Sequence, residues 1–361
     1  MPALPQYYVD PASGSDISGT GAIGSPWQTL QHALDTITPA TYGDQINLKS
    51  GSSNILSADL SYSTYSPSTY KKLVVRGYTT TENDGGIGKI DGSASYTVGS
   101  LSNTAFIDLE ITNTDPARSA CSNLDYSQWV NVYAHTIDNN VLAVVQNRAQ
   151  VIDCRFENIS GSACNAFRGF GKNLYFKNGS TYSFGTALKL DVEGHLSNSI
   201  FDLDGSSNGI DCVSISHCVM NSTFFGGGGT GTAYNNNSSD TWASMFADNI
   251  VAGFSGTGGI GCNNTSYWGL VFRNNSFYDN ATDFNDPTTA GESGYRDNSG
   301  NESLASSPFA LSGNNDYANR LTYFAPQDVG SVLAGDYPRG AVFAATTSGG
   351  GGATVHPLRS N

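Results

Sequence analysis

The densest run of ionisable side chains is Lys189-Leu-Asp191-Val-Glu193-Gly-His195, with Asp211 about one repeat further on and Arg168 before it. Two chemistries fit these residue types. Removal of a carbon-bound proton beside a carboxylate needs a base and a cation to neutralise that carboxylate. Lys189 and Arg168 suit those roles, and Asp191 with Asp211 would hold Ca²⁺ through oxygen ligands. Cleavage of a glycosidic bond needs two carboxylates across it, and Asp191 with Asp211 form a candidate pair. The plain alternative is ordinary polar side chains on the outer face of a folded chain. A second set suits sugar rings through stacking and amide hydrogen bonds: Tyr267, Trp268, Tyr234, Asn235 and Asn263. No CxxC and no Cys/His cluster has metal-ligand spacing, so no structural metal site is expected, and no cofactor beyond Ca²⁺ if the chain is a lyase.

A repeat positions these residues. From about residue 69, an Asn or Asp is followed three positions later by an apolar residue: Asp108/Ile111, Asn131/Ala134, Asp153/Phe156, Asn173/Phe176, Asn198/Phe201, Asn221/Phe224, Asp248/Val251 and Asn274/Phe277. Most copies carry another apolar residue two positions before the polar one, such as Phe106, Trp129, Val219 and Phe272. A second ladder of Gly-x-x-apolar form runs through Gly161–Cys164, Gly185–Leu188, Gly209–Cys212, Gly231–Tyr234 and Gly259–Cys262. Periods of this length, without helices between the strands, describe a solenoid whose like residues stack from coil to coil. The expected fold is all-β: a right-handed parallel β-helix with an N-terminal capping α-helix. Asn and Asp at the corners are read as turn residues that tolerate φ > 0.

The ladder phase makes further expectations. Alternate side chains of a strand face outward, which selects Asn165, Lys189, Asp211, Asn235 and Asn263. Cys164, Cys212 and Cys262 share one phase two coils apart, roughly 9.6 Å at the usual strand spacing. A disulfide needs Cα atoms within about 7 Å, so these are expected as unpaired interior thiols. Trp129 fits the interior ladder.

The chain of 361 residues carries 31 acidic against 17 basic residues, a net charge of −14, which argues against nucleic-acid binding and against docking on anionic membranes. No apolar run approaches the ~20 residues that span a bilayer. The first residues lack the basic and apolar regions of a signal peptide. Trp27, Leu30, Ala33, Leu34 and Ile37 have helix-face spacing, with Ser25-Pro26 as the start signal. The expected organisation is an entry strand and capping helix over 1–68, coils over 69–301, a closing segment over 302–345, and a Gly-rich linker with a tail peptide over 346–361.

The opening Tyr7-Tyr-Val-Asp-Pro-Ala-Ser-Gly-Ser-Asp16, the Pro26–Leu34 segment, Gly43-Asp-Gln-Ile46 and the coils to about residue 290 resemble the pectin-lyase-like β-helix superfamily, in its phage-spike, fibre or bacterial-exoprotein form. The resemblance implies a protein that meets polysaccharide or cell-surface glycan, and homotrimers where it is a virion part. The leading expectation is a virion-associated surface protein, of spike, fibre or head-decoration type, that presents a β-helix to glycans without strong catalysis, alongside other virion proteins. It would sit at an extracellular or virion surface. The alternatives are a secreted polysaccharide lyase or glycoside hydrolase acting on acidic polysaccharide, and a bacterial surface adhesin.

Overall fold

Asp108, Asn131, Asp153, Asn173, Asn198, Asn221, Asp248 and Asn274 all have φ between 50° and 59°. This is the left-handed region, which Asn and Asp enter at lower cost than other residues with a Cβ. Each therefore bends its strand at a single residue, and the sequence repeat is a repeat of corners. The computed structural model describes residues 4–305 except 39–42, 63–71, 99–100, 124, 213, 215, 237–243, 265–269, 286–294 and 298–299. Most of the expected closing segment, and all of the Gly-rich linker and tail, lie outside the described residues. The chain divides into two units: residues 1–170 with 179–183, and residues 171–178 with those from 184 onward.

In the first unit, Gln6–Val9, Gly43–Lys49, Lys72–Tyr78, Thr104–Asn113 and Gln128–Ile137 stack in parallel, each on the one before. Parallel stacking thus begins at residue 6, well before the expected first coil. The second half of Gln128–Ile137, beyond its corner at Asn131, carries Arg155–Ile159. Ser53–Ile55 and Gly88–Asp91 join the second half of Thr104–Asn113 in the same way. Inward files follow the register: Val75, Phe106, Trp129 and Val151 form one, and Ile90, Ile111, Ala134 and Phe156 another. The helix is only Leu30–Thr36, and its N-cap is Thr29, whose side chain accepts the His32 N–H. The cap expected at Ser25 is displaced because Trp27 belongs to the strand side, stacking on Tyr7 with ring centroids 5.6 Å apart. Leu30, Ala33 and Leu34 are the buried face of the helix.

The second unit has three strand files. Thr186–Leu190, Asn208–Cys212, Thr232–Asn236, Ile260–Asn264 and Thr282–Asn285 form the first. His195–Ser197, Cys218–Met220, Ser244–Ala247 and Leu270–Arg273 form the second. Tyr175–Lys177, Ile200–Asp202, Thr223–Phe225, Ile250–Ala252 and Ser276–Tyr278 form the third. In-register stacking puts like on like: Phe176, Phe201 and Phe224 lie with successive ring centroids 4.4 Å and 4.5 Å apart and nearly parallel planes. Each such ring contributes about 1.5–3 kcal/mol by burial, and stacking adds about 1 kcal/mol. All six cysteines are thiols outside any disulfide, and Cys121, Cys154, Cys164, Cys212 and Cys262 are buried. The expected common phase is corrected. Cys262 pairs with Tyr234 and so shares the file of Ile210, whereas Cys212 pairs with Asn236. The Gly-x-x-apolar copy at Gly209 is slipped by two residues, which preserves its inward face but not its file.

Candidate functional site

Alternation along the first strand file of the second unit settles which side chains face out. Leu188, Ile210, Tyr234 and Cys262 are register partners and buried. The residues after them point the other way, and the register aligns Lys189, Asp211, Asn235, Asn263 and Asn285 as one partly exposed column. The column is hydrogen-bonded from Asp211 to Asn285. Asn235 Nδ2 donates to Asp211 Oδ1 at 3.2 Å, Asn263 Nδ2 to Asn235 Oδ1 at 2.8 Å, and Asn285 Nδ2 to Asn263 Oδ1 at 3.0 Å. Thr186 Oγ1 donates to the other oxygen of Asp211 at 2.9 Å. A carboxamide has two N–H donors and two acceptor lone pairs. The ladder uses one of each at Asn235 and Asn263, leaving a donor and an acceptor per rung. Rungs repeat about every 4.8 Å.

The expected site residues therefore divide. Lys189, Asp211, Asn235 and Asn263 are brought together. Asp191 is not opposite Asp211, because Lys189 is, and the recorded pairing ends at Leu190 with Cys212. Asp191 Oδ1 instead accepts the Val192 N–H at 2.8 Å. Arg168 lies on Cys164–Lys172 in the first unit. Tyr234, expected to be exposed, is fully buried, since its strand position is inward and its neighbours in the file are Ile210 and Cys262. Tyr267 and Trp268 lie outside the described residues. A calcium site on Asp191 and Asp211 does not fit: Asp211 engages Thr186 and Asn235, and no group of three or more His, Cys, Asp or Glu among the described residues could hold a metal.

The first unit carries an outward cluster that the repeat contained but the inward reading passed over. Lys89, Glu110, Tyr133 and Arg155 are successive register partners, and Glu157 pairs with His135. These are the second and fourth positions after the corners, so the spacing itself was the available signal. Lys89 Nζ and His135 Nε2 both reach Glu110 Oε1, at 2.9 Å and 3.0 Å. The hydrogen bond from His135, followed by that from Lys89, holds the Glu110 carboxyl at about 2 against the opposing effect of burial. Tyr133 and His135 stack at 4.2 Å, the Arg155 guanidinium lies 4.7 Å over the Tyr133 ring, and Arg155 pairs with Glu157. Tyr133 Oη donates to Glu157 at 3.1 Å, and burial pushes its phenol up to about 12.

Among solved structures the chain is similar to pectate lyase Pel9A, at 15% identity and a TM-score of 0.55, covering 97% of this chain and 91% of that one. The fold is a pectin-lyase-like parallel β-helix. Its likeness to the lacto-N-biosidase GH136 from Eubacterium ramulus is weaker, at 11% identity and a TM-score of 0.37, covering 83% of this chain and 67% of that one. No family model and no curated protein matches the sequence.

Proposed function

We propose that the second unit binds a hydroxyl-rich, neutral glycan chain along its outward column. The observation that supports this is the hydrogen-bonded file of Asp211, Asn235, Asn263 and Asn285. Each of its middle rungs offers a donor–acceptor pair at a stride close to the length of one pyranose unit. Paired donors and acceptors match vicinal sugar hydroxyls, which are themselves both. A polyuronate is the poorer match. It would meet one cation in the column, Lys189, on a chain of net charge −14 whose field repels it. The likeness to pectate lyase Pel9A supports the fold that presents such a column, and the glycan reading rests on the column.

Calorimetric titration with xylan, mannan and cellulose oligosaccharides, against polygalacturonate, tests the proposal. Saturable binding of a neutral oligosaccharide is expected, weakened at least about tenfold in Asn235→Ala/Asn263→Ala, since lost charge-free hydrogen bonds are each worth about 0.5–1.5 kcal/mol. Wild-type binding by that variant overturns it. So does an unsaturated product from polygalacturonate that disappears in Lys189→Ala, which would establish a lyase. The setting we propose with it is a virion or other extracellular surface, with the chain assembled as a homotrimer. Light scattering that returns a monomer overturns that setting without touching the glycan site.

A further inference from the structure

Thr136 is, among the described residues, the one β-branched residue with φ in the left-handed region, at 53°. In the next coil Asn158 fills the same corner at φ 57°, because Glu157 pairs with His135 and Ile159 with Ile137. A β-branched side chain there is strained, and strain of this kind concentrates at functional positions. The left-handed residue also breaks strand alternation, so that the consecutive His135 and Thr136 meet: His135 Nδ1 lies 3.0 Å from Thr136 Oγ1.

The hydrogens can be assigned from the surrounding partners. Asn158 Oδ1 accepts the N–H groups of Thr181 and Tyr182, at 3.1 Å and 2.7 Å, which turns its Nδ2 toward Thr136 Oγ1 at 3.3 Å. Oγ1 thus receives one hydrogen and directs its own to His135 Nδ1. The other ring nitrogen, Nε2, donates to Glu110 Oε1 at 3.0 Å, and Lys89 braces that carboxylate at 2.9 Å. Carboxylate, imidazole and hydroxyl stand in the order that activates a hydroxyl nucleophile, a constellation recognised by geometry and not by fold.

We propose that Glu110, His135 and Thr136 form an acyl-transfer site that hydrolyses small O-acyl esters. Thr136 Oγ adds to the ester carbonyl carbon while His135 Nδ1 takes the hydroxyl proton. The carbonyl–oxygen bond to the alcohol breaks, and His135 returns the proton to that alcohol. Water then adds to the acyl–Thr136 ester, His135 again takes and returns one proton, and the free acid leaves. No oxidant or reductant enters. Thr136 and His135 are the catalytic residues, and Glu110 is a positioning residue that fixes the imidazole tautomer.

The test uses the full chain with 4-nitrophenyl acetate, together with a fluorophosphonate probe read by peptide mass spectrometry. Saturable nitrophenolate release is expected, with the probe on Thr136. Thr136→Asn should lower the rate by at least about 100-fold while keeping or raising Tm, because the next coil shows that Asn suits this corner. Thr136→Ser keeps the hydroxyl and should retain turnover. Glu110→Gln should lower kcat with KM unchanged, a split that a merely structural loss would not give. A wild-type rate no greater than that of Thr136→Asn, or label on another residue, overturns the proposal. Both outcomes are independent of glycan binding by the second unit.

Discussion

The residue just after the left-handed corner is Leu109, Val132 or Cys154 in the first unit, and Ser199, Ser222, Asn249 or Asn275 in most coils of the second. All are buried. The corner is the same in both, yet its interior is filled by two different physics. In the second unit each backbone N–H at this position donates to the side chain one coil on. Leu174 N–H goes to Ser199 Oγ at 3.1 Å, Ser199 to Ser222 Oγ at 3.2 Å, and Ser222 to Asn249 Oδ1 at 2.9 Å. Asn249 N–H goes to Asn275 Oδ1 at 3.1 Å and Asn275 N–H to Asn301 Oδ1 at 3.0 Å. The amides then donate back to main-chain carbonyls, Asn275 Nδ2 to Phe246 O at 3.0 Å among them. In the first unit Leu109 and Val132 give only packing, and Cys154 stands between the two modes. Its thiol donates to the Ile152 carbonyl at 3.2 Å, as Ser199 does to Ser197 O at 3.0 Å. A buried polar ladder is tolerable because every rung has partners. Left unpaired, each such group costs about 1–3 kcal/mol.

The sharpest way to break this comparison is at Asn275. Asn275→Leu should cost at least about 2 kcal/mol in chemical denaturation, because it orphans the buried Asn249 N–H and removes the acceptor of the Asn249 amide. It should be no better tolerated than Asn275→Ala. Leu109→Ala, by contrast, should cost about 2–5 kcal/mol through its cavity alone. If Asn275→Leu proves neutral, the ladder is filler and the two units do not differ in kind.

Acid separates the units next. Burial pulls His217, in the second unit, down to about 4 from 6.5. The unfolded chain then binds the extra proton between those values, so this contribution to stability is full above about pH 6.5 and lost as pH falls to about 4. Glu110, in the first unit, is held at about 2 against 4.5. Its contribution is present above pH 4.5 and lost as pH falls toward 2. Site-resolved hydrogen exchange should therefore show the second unit loosening first on acidification. His217→Gln should move that loosening to lower pH, and an unchanged profile in this variant would remove the distinction. The smallest effect is expected at Cys154→Ser, under about 1 kcal/mol, since the hydroxyl takes over the hydrogen bond to the Ile152 carbonyl.

Much of this was legible in the chain order. Asn and Asp at the corners were read as left-handed turn residues, and all eight are. The apolar residues two before and three after them were read as interior, and Phe106, Trp129, Phe201 and Phe224 are. The outward positions were harder. Lys189, Asp211, Asn235 and Asn263 were expected to face out and do form one column, but Tyr234 is interior and Asp191 has no place in the column. Glu110, His135 and Thr136 went unread because they lie among the outward positions of a repeat recognised by its inward ones. The bend at Thr136 that joins two of them is not a residue preference at all: Thr there runs against its own.

Residue types and their period by themselves determined that the chain coils in parallel, where its eight Asn and Asp corners turn and that the apolar side chains flanking them lie within, because φ > 0 and burial are local demands that each copy of the repeat must meet. Only the tertiary structure decided which outward groups face one another. The segments between corners differ in length, so chain distance does not count coils, and the slip of two residues at Gly209 shows that strand hydrogen bonding, and not spacing, sets the register on which every site depends.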